Sequence, residues 1–178
     1  MHWTGIILAA GGSTRMGRPK ALLEWSGQPL VRAHCTAIAA AGGAVIVVLG
    51  AEAERIHPVL PGGVDVRLNP AWSSTQMADS LRIGLEAVEG AALITPVDVP
   101  PAPFPIIAEL IASPAPAVLS HRGVDGHPVW VDASRTREAL LSSPLNHILS
   151  DVPRLDTEWT GCIRSWNTPS EWDAQSSD

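Results

Sequence analysis

The chain has 178 residues with a net charge of −6, and 46% of the residues are hydrophobic. This composition predicts a well-filled core and excludes a disordered chain, and the length fits one domain over residues 1–178. Because negative charge is in excess and no basic tract occurs, nucleic acid is not an expected partner, and a bound nucleotide must be held by local positive charge.

Membrane, export and redox roles have no signal in the sequence. Residues 1–4 lack a charged segment and a small-residue cleavage site, and no apolar run approaches the ~20 residues needed to span a bilayer. Cys35 and Cys162 are far apart in apolar surroundings, which fits neither a disulfide framework nor a zinc site. We expect a cytoplasmic protein with two inert thiols and no membrane contact.

The first predicted element is a buried parallel strand, an apolar run from Gly5 that stops at two glycines. The loop after it combines glycines, hydroxyl side chains and cations, at Gly11, Gly12, Gly17, Ser13, Thr14, Arg15, Arg18 and Lys20. Backbone N–H groups and cations at the carboxyl end of a strand favour an anion site, most naturally for phosphates. Lys20 is the only lysine among the 12 basic residues, which indicates a specific use of a compact ammonium. The alternative is a solvated surface turn.

Strands and helices alternate along the rest of the chain. Helices are predicted over 30–41, 52–56, 77–88, 104–112, 135–141 and 145–150, and strands over 44–50, 64–68, 91–95, 117–120 and 129–131. A turn is predicted over 123–126, and Trp72 and Met77 are expected to pack in the core. Strands joined by crossover helices predict a parallel sheet with right-handed connections.

A second candidate site follows the strand over 91–95. Asp98 comes directly after that strand and is flanked by Pro96 and Pro100. Because prolines restrict the backbone, we expect the Asp98 carboxylate to be held firmly at the carboxyl edge of the sheet. Mg²⁺ prefers oxygen ligands and is usually held by one or two carboxylates together with substrate phosphates. A turn Asp that caps a helix is the alternative.

Two further polar stretches carry candidate residues. Asn69 and Ser80 offer hydrogen-bonding groups that suit the edge of a base or a ribose. Thr168 and Glu171 have the spacing of a capping box, which predicts that a helix starts at Pro169.

The glycine-rich loop matches neither of two common phosphate loops. Its glycines have Walker A spacing, but Arg18-Pro19 replaces the Lys-Ser or Lys-Thr that must follow, and the adjacent glycines at 11 and 12 exclude G-x-G-x-x-G. The run L-A-A-G-x-S-x-R-M-G-x-P-K-x-L-L over residues 8–23 instead resembles the signature loop of the MobA-like nucleotidyltransferases. Its A-G and P-K pairs are more similar to the molybdenum cofactor cytidylyltransferase branch than to the guanylyltransferase branch.

The resemblance implies a three-layer α/β/α, Rossmann-like nucleotidyltransferase fold of the GT-A-like type with a mostly parallel sheet. The implied reaction is Mg²⁺-dependent transfer of CMP from CTP to molybdopterin, with release of pyrophosphate. The resemblance assigns catalysis to Arg15, Lys20 and Asp98, Mg²⁺ binding to Asp98 and Asn167, and acceptor binding to His127. It assigns nucleotide binding to Leu8, Ala9, Ala10, Gly11, Gly12, Ser13, Lys20, Asn69 and Ser80.

Two departures from the family pattern leave the substrates open. Gln76 stands where the cytidylyltransferase branch usually has Gly, so the choice between CTP and GTP is not fixed. The stretch over 142–160 lacks the glycine-bearing acceptor segment of many relatives. The alternatives are GTP-dependent molybdopterin guanylyl transfer, transfer to a sugar phosphate, and a non-catalytic nucleotide-binding accessory protein of a molybdoenzyme. Transient contact with a target molybdoenzyme also fits the resemblance.

Overall fold

The central strand of the sheet is the apolar run that precedes the glycine-rich loop. In the computed structural model, which describes residues 2–175, this strand is β1, Trp3–Ala9, and nearly all of its side chains are buried. The other strands are β2 (Glu24–Trp25), β3 (Gln28–Pro29), β4 (Ala44–Leu49), β5 (Asp65–Leu68), β6 (Ala91–Pro96), β7 (Ala117–His121), β8 (Val124–Asp132) and β9 (Arg154–Asp156). The helices are α1 (Leu30–Ala40), α2 (Ala53–Ile56), α3 (Met77–Leu85), α4 (Phe104–Ala112), α5 (Ala133–Ala139), α6 (Leu145–Ile148) and α7 (Pro169–Gln175).

Seven strands form one sheet in the order β5-β4-β1-β6-β8-β7-β9, and β2 and β3 form a separate hairpin. β1 pairs in parallel with β4 and β6, and β4 pairs in parallel with β5, whereas β8 runs antiparallel to β6 and β7. The mostly parallel sheet confirms the predicted fold class. Because β1, β4, β5 and β6 run in the same direction, the loops after them meet at one edge of the sheet.

Apolar side chains alternate between the two faces of the sheet and build a core on each. On one face, Ile7 and Leu93 belong to a buried cluster that includes residues of α1 and α4. On the other face, Ile6 and Ile94 belong to a second cluster that includes residues of α3 and α5. Successive side chains of a strand point to opposite faces, so one apolar run serves both cores. The sheet is therefore the middle layer of three.

The structure corrects the predicted turn over 123–126. The turn lies at Arg122 and Gly123, whose φ angles are 51° and 81°, and His121 pairs with Val124 across it. This two-residue connection closes a hairpin between β7 and β8, so Gly126 and the residues after it lie inside a strand. Strand pairing therefore overrides the turn-like composition of this stretch.

The prediction that Trp72 and Met77 pack in the core is wrong. Met77 is the first residue of α3 and is 62% exposed, and Trp72 in the preceding loop is 37% exposed.

The helix α3 ends at Leu85 rather than at Val88, because the N–H of Val88 bonds the carbonyl of Leu85, only three residues back. Among the described residues, no helix has the length and hydropathy that crossing a bilayer requires.

Candidate active site

The loop after β1 is shaped by Ser13. Its φ of 50° turns the chain, and its carbonyl accepts hydrogen bonds from the N–H groups of Met16 and Gly17 at 3.0 and 3.1 Å. Its hydroxyl Oγ accepts the N–H of Lys20 at 3.1 Å. Ser13 therefore ties the two ends of the loop together and fixes where the side chain of Lys20 begins.

Two glycines of this loop are required for different reasons. A Cβ on Gly12 would lie 2.9 Å from the ring of Trp72, so the ring packs directly on the loop backbone. Gly17 has a φ of 70°, a conformation that side chains disfavour. Gly11 faces open space on the cleft side, which leaves its backbone accessible to a ligand.

Lys20 connects the loop to both predicted metal ligands. Its Nζ donates to Asp98 Oδ2 at 2.7 Å and to Asn167 Oδ1 at 2.9 Å. Arg15 Nη2 donates to the same Asn167 oxygen at 3.3 Å. Side-chain exposure is 14% for Lys20 and 25% for Asp98, so the ion pair is largely shielded from solvent. All the residues that the resemblance assigns to catalysis and metal binding thus lie together.

The loop that carries Asp98 is held by backbone bonds from three directions. The N–H of Val97 bonds the Leu8 carbonyl at 3.0 Å, and the N–H of Trp166 bonds the Asp98 carbonyl at 2.8 Å. From α1, His34 Nε2 lies 3.0 Å from the Val99 carbonyl, which can only accept, so the imidazole carries its proton on Nε2. Burial lowers the pKa of His34 to about 4, and the Val99 carbonyl opposes this. His34 is therefore a neutral donor at physiological pH.

The segment that carries Asn167 is fixed by a helix cap. Glu171 Oε2 accepts the N–H groups of Asn167 and Thr168 at 2.6 and 3.0 Å, which lowers the pKa of Glu171. The capping spacing seen in the sequence is therefore realised, and α7 starts at Pro169 as predicted.

A small third core ties this segment to the signature loop. Trp166 and Trp172 pack at a centroid distance of 4.8 Å, and Trp25 lies 5.3 Å from Trp166. The cluster also contains Met16 of the loop and Leu23 beyond it. The elements that carry Lys20 and Asn167 are thus packed on each other independently of the two large cores.

An open cleft of about 220 Å³ begins beside these residues and runs along the loop after β1. Its walls include backbone and side chains predicted to bind nucleotide, namely Leu8, Ala9, Ala10, Gly11, Ser13, Lys20 and Ser80, together with Asp98. Exposed Trp72, Gln76 and Met77 and half-buried Thr75 line it from the side of β5 and α3. One end of the cleft therefore carries the Lys20 ammonium, and the other carries the Trp72 indole and the Gln76 amide.

Asn69 lies behind this wall and does not line the cleft. It is 2% exposed, and its Nδ2 donates to Thr75 Oγ1 at 2.9 Å and to Ser80 Oγ at 3.0 Å. Its Oδ1 accepts the N–H of Ala71 at 3.1 Å. With these bonds, the Asn69 side chain holds the loop that carries Trp72 in place. The sequence analysis expected this side chain to contact the edge of a base or a ribose.

His127 lies near Asp98 but outside the cleft. Its ring is partly buried, and Nδ1 is buried with no hydrogen-bond partner within residues 2–175. Burial lowers the pKa of His127, and the nearby Asp98 carboxylate opposes the shift. The acceptor-binding role that the resemblance assigns to His127 stays a prediction.

Sequence reasoning missed His34 and Trp166. No motif marks either residue, because each acts through a backbone bond to the Asp98 loop rather than through a patterned position. The available signals were a histidine on the apolar face of α1 and an excess of tryptophan, seven residues in all.

The donor set fits a divalent cation that is completed by a substrate. Asp98 Oδ2 and Asn167 Oδ1 already converge on one cation, the Lys20 ammonium, and hard cations prefer such oxygens. Within the described residues, no three His, Cys, Asp or Glu side chains come together as a metal-binding group. The protein thus offers two oxygens, and phosphates would have to provide others.

Two curated proteins are similar to this chain in sequence. The chain is 32% identical over 117 residues to the molybdenum cofactor guanylyltransferase of Xanthomonas euvesicatoria pv. vesicatoria (strain 85-10), covering 62% of this chain and 54% of that protein. It thus spans about half the length of that relative. It is 33% identical over 147 residues to the nicotine blue oxidoreductase of Paenarthrobacter nicotinovorans, covering 73% and 71%.

Solved structures share the fold at lower identity. Rv0371c from Mycobacterium tuberculosis H37Rv matches with a TM-score of 0.85 and 22% identity over 100% of this chain and 99% of that chain. A structure of Rv0371C described as a complex with manganese matches with a TM-score of 0.75 and 21% identity over 98% and 97%. A family model described as the MobA-like NTP transferase domain matches residues 5–157. The chain therefore belongs to the MobA-like NTP transferase family.

Proposed function

We propose that this protein is a Mg²⁺-dependent nucleotidyltransferase that moves CMP from CTP to molybdopterin and releases pyrophosphate. The observation that carries the proposal is the convergence of Lys20, Asp98 and Asn167 at one end of a cleft walled by the signature loop. A cytoplasmic location fits such a reaction.

The chain's own residues supply positioning and charge. A phosphate oxygen of the acceptor forms a bond to the α-phosphorus, the bond to the β-phosphate oxygen breaks, and pyrophosphate leaves. Backbone N–H groups of the signature loop, with Lys20 and Arg15, would neutralise the charge that develops on the triphosphate. Asp98 and Asn167 would hold the Mg²⁺, which when bound supplies further charge neutralisation.

The acceptor would approach from the side of His127. Its Nδ1 has no hydrogen-bond partner among residues 2–175, and the Asp98 carboxylate acts on the pKa of its ring, which supports a position on the acceptor side of the proposed metal site. The acceptor is assigned to molybdopterin because the signature loop resembles the molybdenum cofactor branch and one relative is named for that cofactor. A sugar phosphate would be the alternative acceptor.

The base would lie between Trp72 and the wall formed by Gln76 and Met77. Stacking on an indole tolerates any base, so discrimination falls to polar groups such as the Gln76 amide, which has both donors and an acceptor. We favour CTP from the A-G and P-K pairs of the loop. GTP is the direct competitor, because the Xanthomonas relative is named a guanylyltransferase.

The decisive experiment is calorimetric titration with CTP, GTP and ATP, each with and without Mg²⁺. We expect Mg²⁺-dependent binding that favours CTP, followed by pyrophosphate release when molybdopterin is added. Tighter binding of GTP would reassign the base, and release of pyrophosphate only with a sugar phosphate would reassign the acceptor. Binding of no nucleotide would contradict the transferase, whereas binding without any turnover would favour the accessory role.

A second candidate function comes from the nicotine blue oxidoreductase similarity, which covers 73% of this chain. An oxidoreductase would use the cleft for a nicotinamide nucleotide instead of a triphosphate. The Lys20–Asp98 pair favours the transferase, since hydride transfer has no need of a paired cation and carboxylate at the phosphate end. Adding NADH and NADPH to the same titration series separates the two functions.

A further inference from the structure

The position that suits a divalent ion is filled by a cation of the protein itself. Lys20 Nζ lies 2.7 Å from Asp98 Oδ2 and 2.9 Å from Asn167 Oδ1, and it therefore occupies the point where both oxygens converge. These two oxygens are the ones that the proposed function assigns to the metal. A metal ion cannot bind them in the same way until the ammonium has moved.

Electrostatics opposes a simple addition of the metal. A divalent ion placed against Asp98 would lie within a few ångströms of the Lys20 ammonium, in a site where only 14% and 25% of the two side chains are exposed. Like charges at that distance repel strongly when solvent is partly excluded. The ion would also have to break the shielded ion pair without giving Lys20 a new partner.

A triphosphate removes this obstacle. Lys20 lines the cleft beside Gly11 and Ser13 of the same loop. Phosphate oxygens offer the ammonium several acceptors of high negative charge, so Lys20 can exchange Asp98 for phosphate at little cost. The same exchange frees the carboxylate and the Asn167 oxygen, and the phosphates add the ligands that the described residues lack.

We propose that Lys20 is a resident cation that closes the metal position until a triphosphate draws it away, so that the metal binds with or after the nucleotide and never before it. This inference rests on the proposed function for the identity of the ligands. It predicts that the nucleotide-free protein has low affinity for divalent ions. It also gives Lys20 a role before the reaction, distinct from charge neutralisation during it.

The first test measures Mn²⁺ alone on the nucleotide-free protein, by the electron paramagnetic resonance signal of free Mn²⁺. We expect Lys20→Met to bind Mn²⁺ about tenfold or more tightly than the unaltered protein, because the competing cation is gone. Lys20→Gln is the second neutral variant in case Lys20→Met does not fold. The control is Arg135→Met, which removes the same charge from an exposed position of α5 and should give less than a twofold change.

The location of the gained affinity is tested by a double variant. Adding Asp98→Asn to Lys20→Met should abolish the gain, because the carboxylate is the proposed ligand. If the unaltered protein binds Mn²⁺ as tightly as Lys20→Met, or if Arg135→Met gains as much, the resident-cation role is wrong. Both results are independent of nucleotide transfer, so failure of the proposed function would appear separately, as an absence of nucleotide binding.

The second test uses the fact that Lys20 is the only lysine in the chain. Protein labelled with ¹³C at the lysine ε-carbon therefore gives one side-chain resonance, which reports on Lys20 without a mutation. We expect CTP without metal to shift this resonance and millimolar Mg²⁺ alone to leave it in place. A shift with Mg²⁺ alone as large as that with CTP would overturn the proposal.

Discussion

At the scale of single residues, the choice of Lys rather than Arg at position 20 has a geometric basis. One nitrogen atom, Nζ, donates to both Asp98 and Asn167, which a compact ammonium with three donors does well. A guanidinium spreads its donors over a planar fork and suits one bidentate partner better than two converging ones. In a chain whose other 11 basic residues are arginines, Lys20 is therefore the residue that fits this position.

We expect Lys20→Ala and Asp98→Ala each to lower kcat by about 10²-fold or more, because each removes charge aimed at the transferring phosphate. Pyrophosphate release from CTP and acceptor gives the measurement, and circular dichroism checks that both variants are folded. Arg135→Ala, an exposed charge on α5, is the control for a general effect of lost charge and should retain full activity. A normal kcat in either site variant would remove that residue from the mechanism.

His34 makes stability depend on pH in a defined direction. Its pKa is about 4 in the folded protein, against 6.5 in an unfolded chain, because burial disfavours the charged form. Between these values the unfolded state binds the proton and the folded state does not, so the free energy of unfolding falls as the pH is lowered from 6.5 to 4. The loss attributable to His34 is about 3 kcal/mol once the pH reaches 4.

The measurement is urea denaturation of the unaltered protein and His34→Gln from pH 7 to pH 4.5. Gln retains a donor for the Val99 carbonyl but does not titrate, so the stability advantage of the unaltered protein should shrink steadily over this range. The pKa of His127 is also lowered, but it shifts both proteins equally and cancels in the comparison. Parallel stability curves would show that His34 is not buried in its neutral form.

At the scale of elements, the site is built by three segments that are distant in sequence, and two of them are joined by a core of their own. The signature loop carries Lys20, the segment before α7 carries Asn167, and the tryptophan cluster of Trp25, Trp166 and Trp172 joins them. The same segment donates the N–H of Trp166 to the Asp98 carbonyl. Packing in this small core therefore sets the distance between the loop and both oxygens.

We expect Trp172→Ala to lower kcat/KM by about tenfold or more while leaving the sheet folded, because a displacement near 1 Å at a reacting site costs up to ~10²-fold. Global stability should fall by about 3 kcal/mol, the usual cost of removing a buried tryptophan. Steady-state kinetics and urea denaturation measure the two effects. Asp173→Ala, exposed on the next position of α7, is the control. Unchanged kinetics with lowered stability would mean that the cluster only stabilises the fold.

Local sequence patterns predicted the elements whose formation does not depend on pairing with a distant strand. α1 and α4 fall where apolar periodicity and flanking prolines place them, and β1 is an uninterrupted apolar run. β9 was missed because it has three residues and is held by pairing with β7, whose partner residues lie 36 positions earlier in the sequence. β8 was misjudged at its start because its Gly-His-Pro stretch has turn composition, yet β7 imposes strand pairing on it.

The site was predictable to the extent that strand ends determine it. Parallel β1 and β6 end at one edge, so Lys20 and Asp98 could be placed together from sequence. The hydrogen-bond partners of Asn69 could not be predicted from the sequence. Whether its amide contacts a ligand or bonds Thr75 and Ser80 depends on how the loop folds. The contacts of Lys20 with both proposed metal ligands likewise exist only in the folded protein and have no sequence signature.

At the scale of the whole molecule, the net charge of −6 opposes the approach of a triphosphate, so a local cation is needed where it binds. Lys20 lines the cleft and Arg15 shares the Asn167 oxygen with it, and these two cations are the local charge of the proposed function. Binding there should bridge the signature loop, the Asp98 loop and the segment before α7. Ligand binding and global stability are therefore linked in this fold.

We expect Mg²⁺ with CTP to raise the Tm by about 5–10 °C at a concentration 100 times the Kd, because such occupancy adds about 2.7 kcal/mol and each kcal/mol raises Tm by ~2–4 °C at this chain length. Differential scanning calorimetry with CTP, GTP and ATP at equal concentration ranks the bases by the same quantity. Lys20→Ala should lose most of the shift, because the triphosphate loses its cation.

CTP with EDTA should give a smaller shift than CTP with Mg²⁺, since the phosphates would then lack the ion that joins them to Asp98. An equal shift in EDTA would mean that the metal adds nothing to nucleotide binding, and the link between the two ligands through Lys20 would have to be abandoned.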